Sequence, residues 1–223
     1  MNTMKKRIVS AVMALSMLLC CLMAVSCEKK TDVVEKPLEG YTPSTEVTEY
    51  VCMNVTYTDK EGTVRKENIV VKLDPTNAPI TVANFQKLVS EKFYDGLTFH
   101  RIVEGFMIQG GDPKGTGMGG SSQKIKGEFL ANGVNNQISH KRGVISMARS
   151  GNSYNSASSQ FFIVHEDGNE FLDGQYAAFG AVVYGIETVD GIATTKVDKP
   201  GTESPKPVNP VTINAMMFVT PNN

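Results

Sequence analysis

Residues 99 to 112 read FHRIVEGFMIQGGD, from Phe99 to Asp112, and this stretch decides how the rest of the chain is interpreted. It places one permanent cation among large apolar side chains and ends in a glycine pair. Arg101 stays charged at ordinary pH and carries several N–H donors in a rigid fork. The mixture indicates an apolar groove, with Phe106 and Met107 as its floor and one strong donor aimed into it. The alternative is an edge strand whose arginine extends to water.

Period-two patterns indicate a mainly β domain. Apolar residues alternate with polar ones in a strand over 51–57, and a second strand over 68–73 completes a hairpin. Pro79 opens a helix with an apolar face that is formed by Val82, Phe85, Leu88 and Val89. Further strands are predicted over 143–149, 160–165 and 211–219, and a short helix over 185–192.

The stretch FHRIVEGFMIQGGD resembles the signature of the cyclophilin family of peptidyl-prolyl isomerases. Further similarities follow that family's order, in APITVANF (78–85), SQFFI (159–163) and FLDGQYAAFG (171–180). The resemblance covers about residues 50 to 219. It implies a closed antiparallel β-barrel of eight strands, capped by two α-helices. The strand patterns are compatible with this architecture but do not establish closure.

The N-terminal segment is similar to a bacterial lipoprotein signal. A short basic start is followed by an apolar run from Ile8 to Val25, and then by small residues leading to Cys27. The alternative is a transmembrane helix, for which the run lies at the lower limit of about twenty residues. We therefore expect a signal peptide over 1–26 and a lipid on Cys27. Ala24 departs from the usual leucine, and Cys20 and Cys21 are weaker candidates.

The expected organisation is then a flexible tether over 27–49 and an isomerase domain over 50–223. The lipid is expected to anchor the chain to a bacterial membrane, with the domain outside the cytoplasm. The tether is rich in Lys, Glu, Thr and Pro, a composition typical of solvated linkers. Of the four cysteines, Cys52 alone remains in the domain, so no disulfide is expected there. We expect its thiol to be buried on a strand and inert.

Several other functions are disfavoured by the sequence. A net charge of -1 with scattered Lys and Arg argues against nucleic acid as a partner. His100, His140 and His165 lack ligand spacing, so we expect no metal and no cofactor, and we interpret each as a hydrogen-bonded structural residue. No serine lies in a nucleophile-elbow pattern. The glycines of 115–120 fit G-x-G-x-x-G only formally, and we expect a flexible loop beside the groove.

Proline isomerisation needs no nucleophile, acid or metal, and the resemblance assigns its residues. Arg101 matches the family's catalytic arginine, and Gln109 holds the substrate backbone or a water. The remaining predicted substrate-binding residues line or flank the groove: His100, Phe106, Met107, Ala148, Phe162, Phe171, Leu172 and Tyr176. Among these, His100 is expected to orient the arginine from behind.

Three residues depart from the family pattern. Phe171 stands where many cyclophilins have Trp, and the chain has no Trp, so weak cyclosporin binding is expected. Tyr176 stands where many have His. Arg149 replaces the usual Asn after Ala148, so the resemblance does not carry the family's backbone clamp over to this position, and the added second cation is expected to affect substrate choice.

The sequence leaves two functional hypotheses open. The first is a monomeric, membrane-tethered isomerase acting on proline-containing peptides and unfolded exported proteins. The second is a module that binds such segments without catalysis, as a holdase or scaffold. The complete set of groove residues favours the first.

Overall fold

The alternating pattern that begins at Tyr50 forms the centre of the fold. In the computed structural model, which describes residues 32–222, it becomes one strand of a ten-stranded sheet. The expected signal peptide and Cys27 lie outside the described residues. The strands are β1 (Val33–Glu35), β2 (Tyr41–Pro43), β3 (Tyr50–Thr58), β4 (Val64–Leu73), β5 (Arg101–Val103), β6 (Met107–Gly110), β7 (Val144–Met147), β8 (Phe161–Val164), β9 (Ala178–Tyr184) and β10 (Thr212–Pro221).

The strand order is β2-β10-β3-β4-β9-β7-β8-β6-β5, with β1 attached to β4 outside this path. A mainly β fold with two α-helices is therefore confirmed for residues 32–222, but a closed barrel is not. Among the described residues, the gap between β5 and β10 is crossed only by a bridge, Thr98 to Thr212, and its flanking hydrogen bonds. Continuous pairing is interrupted because the Ile102 N–H donates instead to the Pro205 carbonyl, at 3.1 Å.

The strand count also differs from the expected eight, because β1 and β2 come from the segment predicted to be a free tether. We call residues 32–49 the strap. β1 pairs in parallel with β4, and β2 pairs antiparallel with β10. The Asn68 side-chain amide donates to the Lys36 carbonyl at 3.1 Å. The prediction of a flexible tether is therefore wrong for residues 32–49, because backbone pairing holds this segment on the sheet.

The strap covers the outer face of the sheet over Cys52. Tyr41 packs with its ring centroid 6.1 Å from those of both Tyr50 and Tyr184. Beneath them Cys52 is buried in an apolar cluster, and this burial raises the pKa of its thiol to about 12. The thiol is therefore protonated and shielded, as expected for an inert cysteine.

Replacing Tyr41 with Ala should expose this thiol. Loss of the ring removes apolar burial that contributes about 1–2 kcal/mol of stability, and it opens a path to the sulfur. We expect faster alkylation of Cys52 and a lower Tm. Val47→Ala is the matched control, because Val47 lies in the same strap but is exposed. Equal alkylation rates in wild type and Tyr41→Ala would contradict the shielding role of the strap.

The first helix, α1 (Pro79–Ser90), packs on the core as its sequence predicts. Phe85 lies within ring-stacking distance of Phe161 and Phe179, with centroids 5.8 and 5.1 Å away. The buried Glu128 carboxylate accepts the N–H groups of Ile80 and Thr81, at 3.0 and 2.7 Å. It satisfies donors that a helix start leaves unpaired.

The second helix, α2 (Ile186–Ala193), follows Gly185, which has a φ of +78°. A Cβ at this position would lie 2.0 Å from the Asn68 carbonyl oxygen, so only glycine fits. Thr188 then donates its hydroxyl to Glu67 at 2.9 Å, which ties α2 to β4. No helix within residues 32–222 is long and apolar enough to cross a membrane.

Candidate active site

The hairpin of β5 and β6 positions the two predicted catalytic residues. Arg101 and Gln109 are paired antiparallel neighbours, so their side chains leave the same face of the sheet. Arg101 Nη1 donates to Gln109 Oε1 at 3.0 Å. On the other side of β6, Gln109 pairs with Phe162 of β8. Strand register thus brings the cation, the amide and an aromatic ring together.

The predicted apolar residues form one cluster, separate from the main core. It contains the buried side chains of Met107, Phe162 and Leu172, with Phe106, Ala148 and Tyr176 half-buried against them. The Arg101 guanidinium carbon lies 5.8 Å from the centroid of the Phe106 ring. The guanidinium therefore lies beside the Phe106 ring at the edge of this cluster.

The Arg101 side chain is half-buried and fixed at two points. Besides the bond to Gln109, its Nε donates to the backbone carbonyl of Glu203 at 2.6 Å. Burial lowers the pKa of the guanidinium, and the nearby Tyr176 and Glu203 oppose this shift. An arginine stays protonated despite such a shift. The remaining N–H donors can thus serve a substrate atom in the groove.

Gln109 is held in turn by Gln160, the residue that immediately precedes β8. Its Nε2 donates to Gln160 Oε1 at 2.9 Å, and Gln160 Nε2 donates to the carbonyls of Gly117 and Gly119, at 3.0 and 2.7 Å. The glycine loop therefore holds the Gln109 amide in place through Gln160.

This glycine loop is ordered, contrary to the expected flexible loop. The buried Asp112 carboxylate accepts backbone N–H groups from Lys114, Thr116, Gly117 and Gly119, at 2.7, 2.9, 2.7 and 3.1 Å. Burial raises the pKa of Asp112, but these bonds outweigh it and hold the pKa below its ordinary value. Since the loop's N–H groups already bind a carboxylate of the chain, they do not form a phosphate cradle.

Two of the predicted substrate-binding residues, His100 and Phe171, lie outside the apolar cluster. His100 is buried, and within the described residues neither ring nitrogen has a hydrogen-bond partner, so the expectation of a hydrogen-bonded histidine is wrong at this position. It lines a cavity of about 420 Å³ beside Arg101, which is compatible with a place behind the arginine. Phe171 is 68% exposed, and its ring centroid lies 5.8 Å from that of Phe106. It borders the groove from the solvent side.

Arg149 is not a free cation in the groove. Its Nε donates to the Gln175 carbonyl at 3.0 Å, and its Nη1 donates to the Ser150 carbonyl at 2.9 Å. The expected effect of this second cation on substrate choice stays a prediction, but these bonds fix where the cation lies. The Arg149 side chain joins the loop after β7 to the segment before β9.

The sequence did not reveal the polar support beneath the groove. His140 Nδ1 lies 2.7 Å from Asp173 Oδ1, and its Nε2 lies 3.0 Å from Ser146 Oγ. Its ring stacks on Phe162 with centroids 6.1 Å apart. His140 and Ser146 are both fully buried, so this Ser-His-Asp set has no access for a hydrolase substrate. It is a structural support, as expected for His140.

This support predicts acid sensitivity. Burial lowers the pKa of His140, and this effect outweighs the hydrogen bond and the charge of Asp173, which raise it. Burial likewise lowers the pKa of His100 and outweighs the charge of Asp112, which raises it. An unfolded histidine, with a pKa of about 6.5, then binds protons that the native one does not. We expect the contribution of these two neutral histidines to the free energy of unfolding to be complete above about pH 6.5. The free energy of unfolding should fall at lower pH.

Denaturant unfolding from pH 7.5 to pH 5 measures this effect. The variant His140→Gln with His100→Gln should show a flatter pH dependence than wild type across this range. A wild-type stability that is constant or rises towards acid would contradict the assignment of two neutral buried histidines.

Fold and site together define a class of protein. A fixed guanidinium lies beside an apolar groove and a neutral amide, on a β-rich domain. This arrangement fits a protein that binds an apolar peptide ring beside a fixed hydrogen-bond donor.

Comparison with known proteins gives the family. A model of the cyclophilin-type peptidyl-prolyl cis-trans isomerases matches residues 56–217. Peptidyl-prolyl cis-trans isomerase B of Bacillus subtilis is 46% identical over 131 residues, which cover 59% of this chain and 87% of that protein. The isomerase of Synechococcus elongatus is 42% identical over 146 residues, covering 62% of this chain and 91% of that protein.

Solved structures agree with this family. The crystal structure of a cyclophilin-type isomerase from Cryptosporidium parvum has a TM-score of 0.62 at 29% identity and covers 77% of this chain and 99% of that one. Another, determined in the presence of the dipeptide Ala-Pro, has a TM-score of 0.61. The chain therefore belongs to the cyclophilin-type peptidyl-prolyl cis-trans isomerases, and its activity is the cis-trans isomerisation of X-Pro peptide bonds.

Proposed function

We propose that Arg101 catalyses this isomerisation by stabilising the twisted amide. Resonance gives the peptide bond a rotation barrier of about 18–20 kcal/mol. As the bond rotates, the prolyl nitrogen loses conjugation and becomes a hydrogen-bond acceptor. A guanidinium N–H near this nitrogen then binds the twisted state more strongly than either planar state. A preference of about 5 kcal/mol accelerates the reaction by between three and four powers of ten.

In this proposal the other groove residues hold the substrate. Phe106, Met107, Phe162 and Leu172 enclose the proline ring, while the preceding carbonyl rotates. Gln109 binds the substrate backbone or a water, and the small Ala148 allows the peptide to approach. The observation that carries the proposal is the fixed position of the Arg101 guanidinium, between Gln109 Oε1 and the Phe106 ring.

The alternative is a groove that binds proline segments without useful catalysis. Exchange NMR on an Ala-Pro peptide separates the two, since it measures both binding and the cis-trans exchange rate. The proposal expects wild type to accelerate exchange and Arg101→Ala to bind the peptide with little acceleration. Binding with background exchange in both proteins would leave only the binding module.

The absence of an indole at Phe171 predicts weak binding of cyclosporin. The substitution Phe171→Trp adds an N–H donor at the edge of the groove, which contributes about 0.5–1.5 kcal/mol, or roughly a two- to twelvefold gain in affinity. Titration calorimetry measures this gain, and Phe171→Leu serves as a control without a donor. Equal cyclosporin affinity in wild type and Phe171→Trp would contradict the prediction.

We further propose that the chain is a lipoprotein of the cell envelope that assists the folding of exported proteins as a monomer. The proposal is supported by the basic start, the apolar run and the small residues before Cys27. Labelled fatty acid should be incorporated by wild type expressed in bacteria and not by Cys27→Ala. Undiminished labelling of Cys27→Ala would reject this anchor and leave the isomerase assignment untouched.

A further inference from the structure

The Arg149 side chain lies among three aromatic rings at the edge of the groove. Its guanidinium carbon is 4.7 Å from the ring centroid of Tyr176, 5.1 Å from that of Tyr154 and 5.4 Å from that of Phe129. All three distances are within the range of cation–π attraction. The shortest one is to Tyr176, which belongs to the groove cluster.

The donors of Arg149 fix the orientation of this stack. The bonds from Nε to the Gln175 carbonyl and from Nη1 to the Ser150 carbonyl hold the guanidinium plane at both ends, and a longer Nη1 bond of 3.3 Å reaches the Gly151 carbonyl. A planar fork satisfies such a set of carbonyls while its face stacks on a ring. A lysine ammonium provides neither the plane nor the fork.

Tyr176 connects Arg149 to the groove. Its ring meets that of Phe162 edge to face, with centroids 5.9 Å apart and planes at 82°. Its backbone N–H donates to the Leu172 carbonyl at 3.2 Å, but its half-buried ring depends on its neighbours for its position. Arg149, Tyr176 and Phe162 therefore form a continuous series of contacts from the Ser-rich loop to the groove.

We propose that Arg149 is a positioning residue that fixes Tyr176 as a wall of the groove, so that the two departures from the family pattern act as a pair. The inference rests on the proposed place of Tyr176 in the substrate groove. A wall contacts the planar and twisted peptide alike, so its loss weakens binding of both. Disturbing the pair therefore raises KM and leaves kcat nearly unchanged.

A double-mutant cycle tests the proposal. Arg149→Met is expected to raise KM for an Ala-Pro peptide by about five- to tenfold, the size expected for losing the Arg149–Tyr176 cation–π contact that positions the groove wall, with kcat within about twofold. Since Arg149 acts through Tyr176, the double variant with Tyr176→Ala should have the KM of Tyr176→Ala alone. Arg142→Ala is the charge control, because Arg142 is paired with Asp190 outside the groove cluster.

Arg149→Lys keeps the charge without the planar fork, so its KM should lie between those of wild type and Arg149→Met. It also keeps the test valid if Arg149→Met fails to fold, which its Tm reports. An unchanged KM in Arg149→Lys and Arg149→Met, or effects that multiply in the double variant, would overturn the proposal. An unchanged KM in Tyr176→Ala alone would remove Tyr176 from the groove and overturn both this pair and that part of the proposed function.

Discussion

Replacing Arg101 with Ala is expected to lower kcat/KM for an X-Pro peptide by about two to three powers of ten, the usual loss when a preorganised donor to a transition state is removed. The guanidinium is fixed by Gln109 and by the Glu203 carbonyl before substrate arrives, so its donors need little reorganisation. Most of the loss should appear in kcat, since the planar peptide gains little from this donor.

A protease-coupled or NMR exchange assay measures the change. Arg101→Lys is the matched variant, because it retains a cation but cannot bond both Gln109 and the Glu203 carbonyl while donating to a substrate. We expect its activity to lie between those of wild type and Arg101→Ala. If Arg101→Ala kept the wild-type kcat with an intact fold, the arginine would have no catalytic part.

The second large effect is expected for Phe162→Ala. Phe162 is 5% exposed and packs between the His140 ring and the groove. Truncation of a buried Phe costs about 3–5 kcal/mol of folding stability. It also removes the surface that holds the proline ring, so KM should rise strongly in the fraction that remains folded.

Phe161→Ala provides the matched control for this substitution. Phe161 is the preceding residue of β8 and points to the main core, where it contacts Phe85. Its loss should cost similar stability while KM of the folded protein stays near wild type. Equal KM values for the two variants, measured below their Tm, would show that the groove surface of Phe162 does not hold substrate.

The sequence predicted the elements that carry a strong apolar period. The β3–β4 hairpin and helix α1 were located to within a few residues, because their buried faces repeat every two residues or every three to four. Strands β1 and β2 were missed. Their burial is slight, and Pro37, Gly40 and Pro43 are typical of loops. Edge strands tolerate proline because one side of the backbone stays unpaired.

The candidate site was predicted as a set of side chains, and its supports were not. Arg101 and Gln109 are paired across the two strands of one hairpin, so their proximity follows from the strand register. The Glu203 carbonyl that holds Arg101 is a backbone group, and no side-chain pattern marks it. His140 was assigned a structural role, but its stacking on Phe162 depends on pairing between β7 and β8 that sequence periodicity does not specify.

The central claim is that the Arg101 guanidinium acts on the prolyl amide itself. A crystal structure of the protein with a bound Ala-Pro peptide tests it most directly. We expect the proline ring between Phe106 and Phe162, with a guanidinium N–H within about 3.5 Å of the prolyl nitrogen or of its amide oxygen. A peptide bound with its proline in the groove and Arg101 turned away to solvent would contradict it.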